Sequence, residues 1–215
     1  MKTKAVFFDL DGTLLDSAPD FIWVVNSLRE EDGLPPLPYE LIREQVSNGG
    51  LALACLTWEI RPDHPQSSHY RQRLLDRYSE NLGQHSGLFA GFELVLRELK
   101  ARKIDWGVVT NKPKLYAVPL LERLKINAPL LICPEDVAHR KPHPEPLLKA
   151  AAHFNHAPEI CFYVGDHARD IESAIAANMP SVAALFGYIE PHINPKDWQA
   201  DYYISRPEEL LTLLN

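Results

Sequence analysis

An apolar run that ends in two carboxylates constrains the fold of this chain more than any other feature. Residues 5–10 are apolar at nearly every position, as is typical of a strand covered on both faces, and Asp9 and Asp11 stand at its end. Because strand side chains alternate, these two carboxylates share one side of the strand end. Gly12 then allows a break where backbone amides can turn toward an anion. The segment predicts a nucleophile beside an acid or base, although such a pair in isolation is most often a solvated turn.

Composition and charge argue against several classes of protein. The 215 residues, 46% of them hydrophobic, suffice for one compact domain with an insert or for two small domains. A net charge of −7 argues against nucleic-acid binding by phosphate neutralisation. No apolar run approaches the roughly eighteen residues that a membrane span needs. Three widely spaced cysteines, Cys55, Cys133 and Cys161, indicate free thiols in a reducing compartment. We therefore expect a cytoplasmic protein whose partners include neither nucleic acid nor a membrane.

Helices and strands alternate in the second part of the chain, whereas the first part after the initial strand is helical. The predicted elements of the second part are helix 92–102, strand 104–110, helix 115–124, strand 130–133, helix 145–154, strand 160–164, helix 168–177 and strand 181–185. The pattern predicts an α/β fold: a doubly wound parallel sheet with an all-helical cap inserted after strand 1. We assign residues 1–15 and 86–215 to the core and residues 16–85 to the cap. Ser17 and Asp20 are candidate caps of the first helix.

Polar side chains follow the predicted strands where each of them ends. Thr110 and Asn111 end the second core strand, Lys141 precedes a helix, and Asp166 and Asp170 follow a later strand. Because ligands of such sheets bind at the carboxyl ends of the strands, we expect these residues to line one pocket with Asp9 and Asp11. Each has an ordinary alternative role, as a turn former, a solvated charge or a helix-start residue.

Four carboxylates in one pocket repel one another unless a cation balances them. Like carboxylates a few ångströms apart resist joint ionisation, so Asp9, Asp11, Asp166 and Asp170 predict a divalent cation. Oxygen ligands from few protein groups suit Mg²⁺, which keeps several waters and binds substrate phosphate oxygens. Lys141 would then neutralise the nucleophile and hold a transferred phosphoryl group.

In order and type, these segments resemble the motifs of the haloacid-dehalogenase-like phosphohydrolases. The matching segments are Asp9-Leu10-Asp11-Gly12-Thr13, Thr110-Asn111, Lys141-Pro142 and Gly165-Asp166 with Asp170. The resemblance implies Asp9 as a nucleophile that forms an aspartyl-phosphate, and Asp11 as the acid and then the base. It implies Thr110, the Asn111 backbone and Lys141 as phosphate ligands. It implies an Mg²⁺ cofactor whose ligands are Asp9, the Asp11 carbonyl and Asp166, with Asp170 supporting the metal shell.

Within that family, residues 14–17 and 108–113 resemble the phosphoglycolate phosphatase-like branch. Residues 131–134, 141–146 and 187–189, with Trp198, look more like the bacterial phosphatases that act on N-acetylmuramic acid 6-phosphate in cell-wall recycling. The resemblance thus implies a small phosphorylated substrate, with N-acetylmuramic acid 6-phosphate ahead of 2-phosphoglycolate. Two alternatives stay open: a sugar phosphomutase of the same fold, and a phosphorylatable signalling receiver, which would have no use for a large helical insert.

Substrate selection is predicted to lie on the cap. Asn48, Gly49 and Gly50 occupy a loop between two cap helices, where they can meet the leaving group when the cap closes. An ordinary interhelical turn explains the same Asn-Gly pair equally well. His167, beside the Asp166 motif, is expected to be an exposed residue at the start of a helix and is assigned no catalytic role.

Overall fold

A six-stranded parallel sheet forms the centre of the protein, as seen in a computed structural model that describes residues 2–214. The strands of the chain are β1 Ala5–Phe8, β2 Leu15–Asp16, β3 Gly87–Leu88, β4 Asp105–Val109, β5 Leu131–Ile132, β6 Cys161–Gly165, β7 Ser181–Ala184 and β8 Tyr202–Ile204. The order in the sheet is β5-β4-β1-β6-β7-β8, and all neighbours are parallel. Later strands therefore lie on both sides of β1: β4 and β5 on one side, and β6, β7 and β8 on the other.

Helices flank the sheet and fill the segment between β2 and β3. They are α1 Ala18–Glu31, α2 Tyr39–Arg43, α3 Gly50–Trp58, α4 Ser67–Asn81, α5 Phe92–Arg102, α6 Lys114–Arg123, α7 Glu145–His153, α8 Ala168–Ala176 and α9 Leu210–Leu213. Short 3-10 turns join several elements, among them Val46–Asn48. In residues 2–214 no helix combines the length and the hydropathy of a membrane span. The predicted α/β fold with a parallel sheet is confirmed.

Strand β1 is covered on both faces because its side chains alternate between two apolar clusters. Val6 and Phe8 pack on one side, where the Phe8 ring meets Phe92 of α5 edge-on at 5.4 Å. Ala5 and Phe7 pack on the other side, in a second cluster. All four side chains are fully buried, so burial holds the end of β1, and with it Asp9, in one position.

Strand β8 was not predicted from the sequence. It has only three residues, it pairs with β7 at the edge of the sheet, and two of its side chains are exposed. A strand of three residues is too short to show the alternation of apolar and polar residues that distinguishes a strand from a loop. Its position next to β7 therefore depends on tertiary pairing.

An antiparallel ribbon closes the base of the helical insert. Strands β2 and β3 pair Leu15 with Leu88 and Asp16 with Gly87, so the chain enters and leaves the insert side by side. This ribbon lies where the boundaries of the cap, residues 16–85, are predicted to fall. We propose on this basis that the insert, with α1 to α4, is a cap unit on a core of residues 1–15 and 86–215.

The two candidate caps of α1 have different partners from those expected. Ser17 occupies the N-cap position, but its hydroxyl makes no capping bond and donates to Asp11 at 2.6 Å. Asp20 lies inside the first turn, where it is fully buried. Its carboxylate accepts from the backbone amides of Gly83 at 2.6 Å and His85 at 2.7 Å. Asp20 therefore fastens the segment that returns from the cap to the core.

Replacing this buried carboxylate should destabilise the fold. Asp20→Ala leaves buried amide donors unpaired, and we expect a loss of about 2–4 kcal/mol in the free energy of unfolding, measured by urea denaturation. Asp76→Ala is the matched control, because Asp76 is exposed and accepts only from Gln72 on its own helix. Equal unfolding free energies for the two variants would contradict this role of Asp20.

Candidate active site

Three neighbouring strands bring the predicted site residues to one edge of the sheet. Asp9 follows β1, Thr110 follows β4 and Asp166 follows β6, and these strands are adjacent in the order β4-β1-β6. The ladder extends just past the strand ends, since the Asp9 amide donates to the Val164 carbonyl at 2.9 Å. The expected meeting of residues from distant parts of the sequence is thus observed, at the carboxyl edge where α/β sheets bind ligands.

Lys141 lies among buried polar groups beside Asp9. Its Nζ is 3.0 Å from Asp9 Oδ1 and 2.7 Å from Asp170 Oδ1, and it donates to the Tyr163 hydroxyl at 2.6 Å. Burial by itself opposes the charged ammonium, but the two carboxylates outweigh it and raise the pKa of Lys141. The lysine therefore carries a fixed positive charge next to the proposed nucleophile.

Asp166 is enclosed by donors from three parts of the chain. It accepts from the Thr13 hydroxyl at 3.1 Å, the Tyr188 amide at 2.9 Å and the Ser47 hydroxyl at 3.1 Å. Gly12 approaches so closely that a Cβ there would lie 2.2 Å from Asp166 Oδ2, and its φ of +79° also favours glycine. Gly12 is thus required both for the turn after β1 and for the space beside this carboxylate.

The acidic cluster formed by Asp9, Asp166 and Asp170 suits a divalent cation. Each residue offers one carboxylate oxygen, and these oxygens all lie within 4.8 Å of one another. Burial, followed by the charges of Asp170 and Asp9, raises the pKa of Asp166 to about 7. Asp9 Oδ1 is buried without a hydrogen bond among residues 2–214, and the group beside it is the Lys141 ammonium at 3.0 Å. An unsatisfied buried oxygen in a set of hard oxygen donors fits Mg²⁺.

Asp170 is held by donors from two segments of the protein. Its Oδ1 accepts from Lys141 at 2.7 Å, and its Oδ2 accepts from the His167 amide at 3.1 Å at the start of α8. It is fully buried and does not line the catalytic cavity. These contacts suit a residue that supports the metal shell and positions Lys141.

Asp11 pairs with a lysine that the sequence did not single out. Lys112 Nζ donates to both oxygens of Asp11, at 3.0 and 3.1 Å, and lies 4.8 Å from the ring centre of Tyr78 and 5.4 Å from that of Phe21. Burial opposes the charge of Lys112, yet the Asp11 carboxylate outweighs it and raises the lysine pKa. With Ser17, this contact fixes the orientation of Asp11. The sequence feature that could have pointed to Lys112 as a site residue is its position directly after Thr110-Asn111.

Thr110 and Asn111 join two of the predicted segments. The Asn111 side chain donates to the Lys141 carbonyl at 2.9 Å, so this amide braces the lysine loop. Thr110 Oγ1 accepts from the Lys112 amide at 3.1 Å, which holds the loop that follows β4. Because the Asn111 side chain is engaged in this contact, the Asn111 backbone remains the candidate phosphate ligand, as the resemblance implies.

A cavity of about 400 Å³ opens above these groups. Asp9, Asp11, Thr110, Asn111 and Lys141 line it together with the loop 46–50. Asp166 lies instead at a smaller neighbouring cavity of about 80 Å³.

The predicted substrate loop of the cap is tied to the core. Asn48 Nδ2 donates to Glu190 at 2.7 Å, and Gly49 adopts a positive φ of 85°, which explains the glycine by backbone geometry alone. Arg169 of α8 donates to the Ser47 carbonyl at 2.7 Å. The loop therefore borders the cavity from a position that contacts with the core define.

His167 starts α8, as expected, but its side chain is half-buried rather than exposed. Its Nδ1 accepts from the Arg169 amide at 3.2 Å, and burial together with the Arg169 charge lowers its pKa to about 4. The ring is neutral near pH 7 and has a structural partner, so no catalytic role is assigned to it.

Comparison with known proteins identifies the family. The model of the haloacid dehalogenase-like hydrolases matches residues 6–184. The N-acetylmuramic acid 6-phosphate phosphatase of Pseudomonas aeruginosa is 40% identical over 217 residues, which cover 100% of this chain and 96% of that protein. The phosphoglycolate phosphatase of Xanthomonas campestris pv. campestris is 43% identical over 209 residues, which cover 96% and 94%. A solved structure of a predicted phosphoglycolate phosphatase from Haemophilus somnus superposes with a TM-score of 0.85 at 27% identity, covering 100% and 99%.

The chain belongs to the haloacid dehalogenase-like hydrolases, as the resemblance of its motifs indicated. Within that family it is an enzyme of the phosphoric monoester hydrolase class and is similar to the phosphoglycolate phosphatase-like branch.

The raised pKa of Asp166 should make the stability of the metal-free protein pH-dependent. Between pH 4 and 7 the folded state keeps a proton on Asp166 that the unfolded chain loses. The stability that this proton gives the folded state is fully present below pH 4 and is lost as the pH rises through about 7. Since the usual pKa is 3.8 and that of Asp166 about 7, it amounts to roughly 4 kcal/mol.

Asp166→Asn isolates this effect. In wild type, loss of the Asp166 proton should lower the free energy of unfolding between pH 4.5 and 7.5. In the variant this decrease should be absent, as measured by urea denaturation in EDTA at the two pH values. Asp76→Asn, at an exposed position, is the control. Identical pH slopes for wild type and Asp166→Asn would rule out a raised pKa at this residue.

Proposed function

We propose that this protein is a Mg²⁺-dependent phosphatase that hydrolyses a small phosphomonoester through an aspartyl-phosphate on Asp9. One observation carries the proposal: a buried carboxylate oxygen of Asp9 without a hydrogen bond lies 3.0 Å from the buried Lys141 ammonium, at the cavity that Asp11 also lines. Charge neutralisation by the lysine lets the other, less buried oxygen of Asp9 approach an anionic phosphoryl group. A second carboxylate at the same cavity supplies the proton transfers.

The proposed reaction has two steps that share one set of residues. In the first, an Asp9 oxygen forms a bond to phosphorus, the bond to the leaving oxygen breaks, and Asp11 gives that oxygen a proton. In the second, Asp11 takes a proton from a water molecule, whose oxygen attacks phosphorus and releases Asp9 and inorganic phosphate. Two smaller barriers replace one large barrier.

Several groups would stabilise the phosphoryl group in both steps. The Thr110 hydroxyl, the Asn111 backbone and Lys141 are the proposed ligands of its oxygens. Asp9, the Asp11 carbonyl and Asp166 are the proposed ligands of Mg²⁺, and Asp170 supports them. When bound, the cation neutralises charge on the phosphoryl oxygens.

A cytoplasmic location stays a prediction.

For the leaving group we favour N-acetylmuramic acid, which would give the enzyme a role in peptidoglycan recycling. The 40% identity to the Pseudomonas aeruginosa phosphatase named for that substrate supports this choice. A cavity of about 400 Å³ also lies within the range typical of small-molecule sites and is roomy for a two-carbon acid. The alternative is 2-phosphoglycolate, supported by the 43% identity to the Xanthomonas campestris enzyme.

Phosphate release should distinguish these substrates and the remaining alternative. We expect purified protein with MgCl₂ to release phosphate from N-acetylmuramic acid 6-phosphate with a much higher kcat/KM than from 2-phosphoglycolate. The reverse order would make phosphoglycolate the substrate. A sugar phosphomutase would instead isomerise a sugar phosphate and require a sugar bisphosphate for activation.

Asp9→Asn should abolish turnover while it preserves the fold. The amide is a poor nucleophile, so kcat should fall by roughly 10⁴-fold or more with either substrate. Ser67→Ala, at the start of α4, is a control that should retain wild-type activity. Phosphate release measures the rate and circular dichroism the fold. Near-wild-type turnover by folded Asp9→Asn would refute the nucleophile assignment.

A further inference from the structure

Helix α4 presents one stripe of side chains to the catalytic cavity. Arg71, Leu75 and Tyr78 all line it. Their spacing of four and three residues places them along a single helix face. A Cβ at Gly50 would lie 3.1 Å from Leu75, so this face also packs closely on the start of α3. Helix α4 therefore forms a wall of the site opposite the catalytic strand ends.

Arg71 differs from the other arginines of this helix. Arg73 pairs with Asp32 at 2.6 Å, and Arg77 pairs with Glu31 at 2.7 Å. Arg71 has neither an ion pair nor a side-chain hydrogen bond within residues 2–214. Its guanidinium therefore remains available at the cavity for a ligand.

Three other cations of the cavity already have partners, whereas Arg140, which also lines it, has no ion pair within residues 2–214. Lys112 and Lys141 each lie 3.0 Å from a catalytic carboxylate. Arg169 donates to the Ser47 carbonyl. The phosphoryl group is matched by Lys141 and the proposed metal. Arg71 thus adds a positive charge that the phosphoryl group does not need.

Tyr78 closes the buried end of the same wall. It is 1% exposed, and its hydroxyl has no surface open to the cavity. Its ring centre lies 4.8 Å from the Lys112 ammonium, which pairs with Asp11. Of the three side chains in the stripe, Arg71 is therefore the one that offers a polar group to a leaving group.

We propose that Arg71 binds a carboxylate on the leaving group and is the residue that makes the enzyme prefer phosphate esters of acids. A guanidinium can bind a carboxylate through two parallel hydrogen bonds, which gives both affinity and orientation. The inference rests on the proposed phosphatase function. It holds for either candidate substrate, because N-acetylmuramic acid and glycolate both carry a carboxylate.

Matched pairs of substrates test the proposal. In each pair one ester has the carboxylate and the other lacks it: N-acetylmuramic acid 6-phosphate with N-acetylglucosamine 6-phosphate, and 2-phosphoglycolate with 2-hydroxyethyl phosphate. In the better pair, Arg71→Gln should lower kcat/KM for the acidic ester by roughly 10- to 100-fold, mostly through KM. The neutral ester should change by less than about twofold. Arg71→Lys should recover part of the loss.

Two variants serve as comparisons. Arg73→Gln removes the same charge from a position on α4 that is paired with Asp32, and it should leave the preference for acids intact. Arg140, another arginine at the cavity, lies next to Lys141. The proposal would be overturned by an equal loss on both esters in Arg71→Gln, or by a selective loss in Arg140→Gln alone. No phosphate release from any ester, p-nitrophenyl phosphate included, would instead refute the phosphatase function on which the proposal rests.

Discussion

The structure of the site depends on three carboxylates that share one edge of the sheet, two of which are fully buried. Asp9, Asp166 and Asp170 stand close enough to disfavour joint ionisation, and Lys141 supplies a positive charge among them. Burial, followed by the charges of Asp170 and Asp9, nevertheless raises the pKa of Asp166. The divalent cation proposed for this site would offset the same repulsion.

A second lysine organises the other half of the site. Lys112 binds Asp11 and lies over the rings of Phe21 and Tyr78, which belong to the helical insert. Asp11, the proposed acid–base residue, is therefore held through a cation that also contacts the insert. The position of the insert and the orientation of Asp11 are physically linked, because Lys112 lies between aromatic rings of the insert and the Asp11 carboxylate.

The insert also contacts the metal side of the site. Ser47 donates to Asp166, Arg169 donates to the Ser47 carbonyl, and Asn48 donates to Glu190. These contacts border the cavity in which we propose that the substrate binds. Helix α4 forms another part of that border, through Arg71, Leu75 and Tyr78.

The parallel sheet follows from the sequence alone, because the apolar run of β1 and the alternation of helices with strands are local properties. The meeting of Asp9, Thr110 and Asp166 follows as well, since parallel strands end at one edge. Tertiary packing was needed to show that Lys112 pairs with Asp11, that its ammonium lies over the Tyr78 ring, and that β8 joins the sheet. These features depend on how the insert packs against the core and on edge pairing. Such contacts join residues far apart in the chain, and no local pattern records them.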